Sequence, residues 1–551
     1  MAGSGFGRTS HTSRRIRRSR PYPNRSPQER KKAFLAERLS SWRCPPHRQC
    51  PYRLRSVAGR VSWFLVLLTV LTVACSDLQS AAHGRVFGRT AASATAVGKI
   101  NWSSCGGGFQ CGTLNVPLDY SRPQYRTISL SLIRKRARNQ SRRIGSVLMN
   151  PGGPGGSGVD FLRSAASIFT YLNTFFDLVS WDPRGVGESA PVVCEDGPQL
   201  DSYMAIDSVL DDPQEKQQFI QAVENFTSSC ERRSGDLLPF MDTASTARDI
   251  ERIRDAVGDK KLTYLGFSYG TFIGQWYAHL FPTHVRALVF DGVVDSTSSS
   301  DQSVSDQVDG FQKNLDAFFA SCKTDTRCTY GRAGDPAAKL AAAVEKLDKT
   351  PLQLGSRQLT RSMAIRGVLS TLYDEEAWPD LDAALTALDK GDGSYLLELA
   401  DYFDGRNSDG TYANEVNGGN QATACLDSFS PSDISAYDRA GPELAQASPL
   451  FGPWTQYGGL ECAYWPVKGK YVNERLTVAG APPILLVGGT NDPATPYAEA
   501  QSVNSQIPNS VLLTRKGNGH TSYASSTCAQ AAEDKYMIDL TLPTPGTVCV
   551  S

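Results

Sequence analysis

A serine standing in Gly266-Phe267-Ser268-Tyr269-Gly270 has the surroundings of a nucleophile. The run 261–265 before it is β-branched and aromatic, and 271–278 continues with helical spacing. Strand, sharp turn and helix would hold the Ser268 hydroxyl at the tip of the turn, with the helix N-terminus behind it. The flanking glycines are needed where a Cβ would strike the neighbouring strand and helix. A serine hydroxyl attacks a carbonyl only when a base takes its proton and a third group holds the base. The chain has six histidines, His11, His47, His83, His279, His284 and His520. The first three precede the folded part, and His279 and His284 fall at or beyond the far end of the helix after Ser268, where capping or surface packing is their expected role. Elimination leaves His520, in the loop 517–522 directly after the last predicted strand. Where a G-x-S-x-G turn carries the nucleophile, the acid lies between serine and histidine in chain order. Asp492, in Gly488-Gly489-Thr490-Asn491-Asp492-Pro493, stands where a buried strand ends and fits that place. An Asx-turn before proline is its plain structural alternative. Thr495, three residues on, is expected to support the pair from behind or to cap a helix.

The fourth part is a place for negative charge. Asn150-Pro151-Gly152-Gly153-Pro154-Gly155-Gly156-Ser157-Gly158 follows a strand and exposes its backbone N–H groups to close approach. The N–H of Gly153, with that of Tyr269 after the nucleophile, is expected to form an oxyanion hole. A phosphate loop is disfavoured, because no Gly-Lys-Ser/Thr follows, and a plain loop is the structural alternative.

The elements that must position these residues can be read from hydrophobic spacing. Residues 127–133 alternate with period two, as a half-buried strand does. Short apolar runs at 146–150, 176–181, 287–291, 483–489 and 510–514 read as buried strands, and 243–257 as an amphipathic helix leading to the strand at 261–265. Strands alternating with helices imply a mainly parallel sheet covered on both faces. Between 298 and 478 the texture turns polar and helical. The expected organisation is a basic head with a signal-like segment (1–75), a tether (76–97), an α/β core (98–297), a helical cap (298–478) and the rest of the core (479–551), so that the cap enters before the last two core strands.

The near-neutral net charge of +1 conceals a head (1–60) of net +14 and a remainder of −13. That acidic body argues against nucleic acid as a partner. The apolar run 61–74 is too short for a membrane span and suits a signal-peptide core, with Arg53, Arg55 and Arg60 as its basic flank. Cys75 follows Val73-Ala74 as the lipidated cysteine of a bacterial lipoprotein would, although Thr72 stands where that pattern usually has Leu. Lipid anchoring at Cys75, ordinary secretion and an uncleaved anchor all stay open. The 60 residues ahead of the run suggest that translation starts near Leu54 or Val57. Ten cysteines remain beyond Cys75: Cys105, Cys111, Cys194, Cys230, Cys322, Cys328, Cys425, Cys462, Cys528 and Cys549. An even set in an exported chain reads as disulfides, and the close pairs 105/111 and 322/328 suggest neighbour pairing throughout. Zinc lacks a C-x-x-C and enough histidines.

Together N-P-G-G-P-G-G-S-G (150–158), W-D-P-R-G-V-G-E-S (181–189), G-F-S-Y-G-T (266–271), G-T-N-D-P-A-T-P (489–496) and G-N-G-H (517–520) resemble the actinobacterial secreted tripeptidyl aminopeptidases, α/β-hydrolases related to prolyl iminopeptidase. The resemblance spans about 98–535 and implies an α/β-hydrolase core, a helical lid and release of short peptides from free N-termini, with no metal or organic cofactor. The segments around Cys425-Leu426-Asp427 and Cys462 to Pro466 are similar to the family's return from cap to core. Asp182 and Arg184 match its turn after a core strand and are expected to be structural. An exopeptidase must also hold the substrate's ammonium, a task for a carboxylate. The insert offers many, Glu375 and Glu376 among them, without singling one out. A secreted carboxylesterase or lipase with the same triad is the alternative. A dead hydrolase used for binding is disfavoured by the intact Ser, Asp and His, and an epoxide- or halide-cleaving relative by Ser268 in place of Asp.

Overall fold

The computed structural model describes residues 98–550 except 333, 471 and 473. The basic head, the apolar run 61–74, Cys75 and the tether lie outside the described residues. The strands in chain order are β1 (Ser103–Ser104), β2 (Gln110–Pro117), β3 (Thr127–Lys135), β4 (Gly145–Asn150), β5 (Phe176–Trp181), β6 (Leu262–Phe267), β7 (Val285–Asp291), β8 (Leu352–Leu354), β9 (Arg357–Leu359), β10 (Ile484–Asn491), β11 (Ser510–Asn518) and β12 (Val548–Val550). Ten of them form one sheet in the order β1-β2-β3-β5-β4-β6-β7-β10-β11-β12. From β5 to β12 every pairing is parallel, and β1, β2 and β3 join antiparallel at the other edge. The expected strands are present. To them the structure adds β2, whose alternation is weak in sequence, and the short β1, β8, β9 and β12.

Why the central strands read as unbroken apolar runs is plain from their two faces. Val147, Met149, Leu265, Phe267, Ala287, Val289, Leu485 and Val487 point into one hydrophobic cluster. Their alternates Leu148, Tyr264, Leu288, Phe290 and Leu486 point into the other. Both sides of a parallel sheet are thus covered, by helices that the connections must supply. Gly158–Ala165 and Thr527–Asp539 close the first face; Thr243–Ala256, Tyr269–Leu280 and Tyr497–Gln506 close the second. Caps fix where these helices start: Asp242 accepts from Ser245 N at 2.7 Å and Ser157 from Asp160 N at 3.1 Å.

Between β7 and β10 the chain forms a run of helices, from Ser300–Thr324 to Leu460–Ala463, broken by the β8–β9 hairpin. Phe311, Leu315, Phe318 and Leu369 of this insert share the second cluster with the sheet. The long helix Ser300–Thr324 lies against the end of β10: a methyl on Gly310 would stand 2.7 Å from Pro493 O, and Asn314 Nδ2 donates to Asn491 O at 3.1 Å. All ten cysteines of the described region pair with their sequence neighbours, as 105–111, 194–230, 322–328, 425–462 and 528–549. Among the described residues no helix is long and apolar enough to cross a membrane.

Candidate active site

Three strand ends on the same edge of the sheet bring the chemistry together. β6 ends at Phe267, and Ser268 follows with φ +54° and ψ −127° before the helix Tyr269–Leu280 begins. A non-glycine residue at positive φ is costly and persists only when its surroundings hold it. They do so here by proximity. A Cβ on Gly266 would lie 2.5 Å from Gly270 O, and one on Gly270 would lie 2.9 Å from Asn150 O. Ser268 N donates to Asp291 O at 2.9 Å. The serine is 1% exposed, and its Oγ meets no hydrogen-bond partner among the described residues.

β11 ends at Asn518, and His520 follows. Its N–H donates to Tyr373 O at 2.7 Å, and the Tyr373 ring stands edge-on to the imidazole at 5.7 Å. Nδ1 lies 2.8 and 3.0 Å from the two carboxylate oxygens of Asp492. A carboxylate only accepts, so Nδ1 carries a proton, and in the neutral imidazole Nε2 keeps its lone pair. Nε2, like Ser268 Oγ, is buried without a partner among the described residues.

Asp492 comes from the end of β10 and is 2% exposed. Burial raises its pKa, but the His520 charge and hydrogen bonds from His520, Thr495 N and Thr521 N outweigh it and hold the carboxyl below the ordinary range. The expected Asx-turn is present as well: Oδ1 accepts from Ala494 N at 3.0 Å and Thr495 N at 2.9 Å. The two readings of Asp492 are therefore compatible, since the turn fixes the carboxylate that faces the imidazole. Thr495 Oγ1 lies 3.4 Å from His520 Nδ1, at the limit of a hydrogen bond.

The glycine loop after β4 sits directly on the serine turn. Gly152 has φ +104°, and a Cβ there would lie 2.6 Å from Phe267 O, 2.9 Å from Ser268 Cβ and 3.2 Å from Tyr269 N. Gly153 has φ +124°, with no room for a Cβ against Gly155 N. Asn150 Oδ1 accepts from Gly152 N at 2.9 Å.

Asp291, read from sequence only as a strand residue, links two of these parts. Its carbonyl takes Ser268 N, while its carboxylate accepts Ser522 N at 2.9 and 2.8 Å and Tyr523 N at 2.8 Å, just beyond His520. Burial pushes its pKa up to about 6, against the pull of those amides, Arg515 and His520. The signal was an acid ending an apolar run, with Gly292 next to it. A methyl on Gly292 would lie 3.1 Å from His520 Cε1 and 3.1 Å from Thr495 Oγ1.

The remaining sequence candidates have other partners. His279 Nδ1 pairs with Thr477 O and His284 Nδ1 with Glu251 Oε1, each at 2.9 Å. Asp182 accepts from Ser157 Oγ, Val159 N and Glu188 N, and buried Arg184 pairs with Asp249 at 2.7 Å, so both are structural. Glu375 accepts from Asn518 Nδ2 at 3.0 Å, beside the histidine loop.

The family model described as TAP-like protein matches residues 448–549, the span that holds Asp492 and His520. Over 510 residues the chain is 31% identical to the tripeptidyl aminopeptidase of Streptomyces lividans, covering 86% of this chain and 92% of that protein. It is 32% identical over 487 residues to serine protease Hip1 of Mycobacterium tuberculosis, covering 82% and 91%. The chain belongs to the tripeptidyl aminopeptidase family. A further relative, carboxylesterase B of Mycobacterium tuberculosis, is 33% identical over 518 residues, covering 90% of this chain and 99% of that protein. The order of strands found here sets Ser268 after β6, Asp492 after β10 and His520 after β11, the chain order in which an α/β-hydrolase carries its serine, acid and histidine.

Proposed function

We propose that this chain is a serine exopeptidase that releases short peptides, tripeptides foremost, from the free N-termini of polypeptides. Ser268 Oγ attacks the scissile carbonyl while His520 Nε2 takes its proton. Asp492 keeps the proton on Nδ1 and stabilises the imidazolium as it forms. The carbonyl oxygen becomes an oxyanion facing the N–H groups of Gly153 and Tyr269. His520 then protonates the leaving amine, the acyl-enzyme forms, and a water activated by the same histidine releases the N-terminal fragment. The observation that carries this reading is the Asp492–His520 Nδ1 contact, which leaves Nε2 as a lone-pair acceptor in a buried site. Thr495 supports the histidine from behind.

In this reading residues 98–297 and 479–551 form the catalytic core, and 298–478 the cap that limits access to chain ends. A core open to folded polypeptides would cut internally, whereas a capped one admits a terminus. The neighbour-paired disulfides support export to an oxidising compartment. Attachment to the cell envelope would run through a lipidated Cys75.

The relative named carboxylesterase B favours a second reading, ester hydrolysis by the same triad. One comparison separates them: turnover of a tripeptide chromogen with a free N-terminus, its N-blocked form and a short-chain ester, each with wild type and Ser268→Ala. The exopeptidase reading expects fast turnover of the free tripeptide only, and none by the variant. Equal rates on the blocked tripeptide would sink it, and preference for the ester would install the alternative.

A further inference from the structure

The helix Asn420–Asp427 belongs to the insert, yet each of its ends is bonded to a different core segment beside the nucleophile. At its start the Asn420 side chain donates from Nδ2 to Pro154 O at 2.9 Å, in the glycine loop. The contact is tight there: a methyl on Gly155 would lie 2.8 Å from Asn420 N and 3.1 Å from Gly419 C. At its end Asp427 accepts from Thr243 N at 3.2 Å and from the Thr243 hydroxyl. Thr243 Oγ1 has one proton, and it goes to Asp427, so the partner on its other side, Tyr269 O–H, is the donor of that bond. Tyr269 is the residue after the nucleophile.

The helix is itself held firmly. The turn before it is pinned to the loop after β5 by Asn414, which accepts from Gly187 N and donates to Val192 O, and by Asn417, which accepts from Cys194 N and Glu195 N. Disulfide 425–462 fixes its last turn to the rest of the insert.

We propose that this cap helix is a clamp that sets the spacing of the oxyanion hole. Asn420 is the positioning residue for the Gly153 side, and Asp427, through Thr243, is the positioning residue for the Tyr269 side. The proposal rests on the oxyanion roles given to Gly153 and Tyr269 above. Neither Asn420 nor Asp427 is assigned contact with the reacting atoms; Asn420 holds Pro154 beside Gly153, and Asp427 through Thr243 holds the Tyr269 side chain. Donors stabilise the transition state only when held about 2.7–3.1 Å from the oxygen, and losing one costs about 10²–10³-fold in rate. Seating of the cap and readiness of the core are therefore one event, because the same eight-residue helix does both.

The test uses the full-length enzyme with the free tripeptide chromogen and a tripeptide aldehyde, whose adduct with serine carries a tetrahedral oxygen. Asn420→Ala and Asp427→Ala are expected to lower kcat about 10- to 100-fold with KM nearly unchanged, and to weaken the aldehyde by a similar factor. Asp427→Asn, which keeps an acceptor for Thr243, restores most of the rate. Arg357→Ala, which breaks the insert's own ion pair with Asp401 away from the glycine loop, leaves kcat within about twofold. Should Asn420→Ala fail to fold, Asn420→Asp removes the donor while keeping the size and takes its place. Unchanged kcat in both clamp variants, or a fall in kcat without loss of aldehyde affinity, overturns the clamp. Ser268→Ala in parallel keeps the two claims apart: an active Ser268→Ala refutes the nucleophile, whereas a dead Ser268→Ala with unaffected clamp variants refutes the clamp alone.

Discussion

At the scale of single residues the site is a set of buried polar atoms, each fixed by a neighbour. Asp492 is the most constrained, taking amides from Ala494, Thr495 and Thr521 as well as the imidazole. Thr495 meets the pair twice, through its N–H to Asp492 and its hydroxyl near Nδ1. Replacing it with valine keeps shape and backbone bond and removes the hydroxyl alone. Thr495→Val is therefore expected to lower kcat by about 10-fold, the worth of one modest buried hydrogen bond, without moving the melting temperature much. Steady-state kinetics beside a thermal melt checks this. Ser268, Asp492 and His520 could be singled out because a motif, a histidine count and chain order each left a single choice, and the structure brings Asp492 and His520 into contact. Asp291, Asn420 and Thr243 were not, because each acts on backbone or hydroxyl groups far along the chain. Asn420 and Pro154 are 266 residues apart, and no spacing rule links them.

Elements matter here through how closely their ends approach. The glycine loop and the serine turn touch so tightly that a single methyl decides their spacing. Gly152→Ala would place a Cβ 2.6 Å from Phe267 O at φ +104°. The expected result is a soluble protein with kcat reduced by at least about 100-fold, since backbone must shift on one side of the oxyanion site. The helix Tyr497–Gln506 after Asp492 carries a second constraint. Its Glu499 is buried, accepts from Asp295 N at 2.8 Å, and is pushed up to about 8 by burial and by Asp295, Asp306 and Asp492, against the pull of the Asp295 amide. A carboxyl raised in the folded state binds its proton more tightly than the unfolded chain does. The stabilisation is complete below about pH 4 and has gone above about pH 8, so folding weakens as pH climbs through that window. Glu499→Gln, which cannot ionise, should melt higher than wild type at pH 9 and differ little at pH 4. Equal pH slopes for the two proteins would contradict this. The strands β3 to β7, β10 and β11 and the helices Thr243–Ala256 and Tyr269–Leu280 were readable from spacing. The β8–β9 hairpin and β12 were not, being three-residue pieces below the length at which alternation carries a signal.

At the scale of the molecule, five short-range disulfides among the described residues staple neighbouring segments, several of their sulfurs lying in the core that the sheet organises. Two of them, 194–230 and 425–462, close loops beside the cap contacts. Loops of 36 and 37 residues correspond to about 4 kcal/mol each in the chain-entropy model. The double variant Cys425→Ala/Cys462→Ala is expected to lose several degrees of melting temperature and, because that bond anchors the helix Asn420–Asp427, to lose activity at temperatures well below its melt. Activity that tracks the folded fraction alone would argue against this. The cap, read from sequence as a polar and helical stretch, was visible by texture; that its helix reaches back into the catalytic edge was not, because contacts between distant segments leave no local pattern. The position of that insert also bears on the order of synthesis. It separates Ser268 from both Asp492 and His520, so a growing chain displays the proposed nucleophile long before the proposed base exists. Until β10 has added to β7 and β11 to β10, the proposed base is not in place. Under the proposed mechanism, activity arrives only as the final strands close.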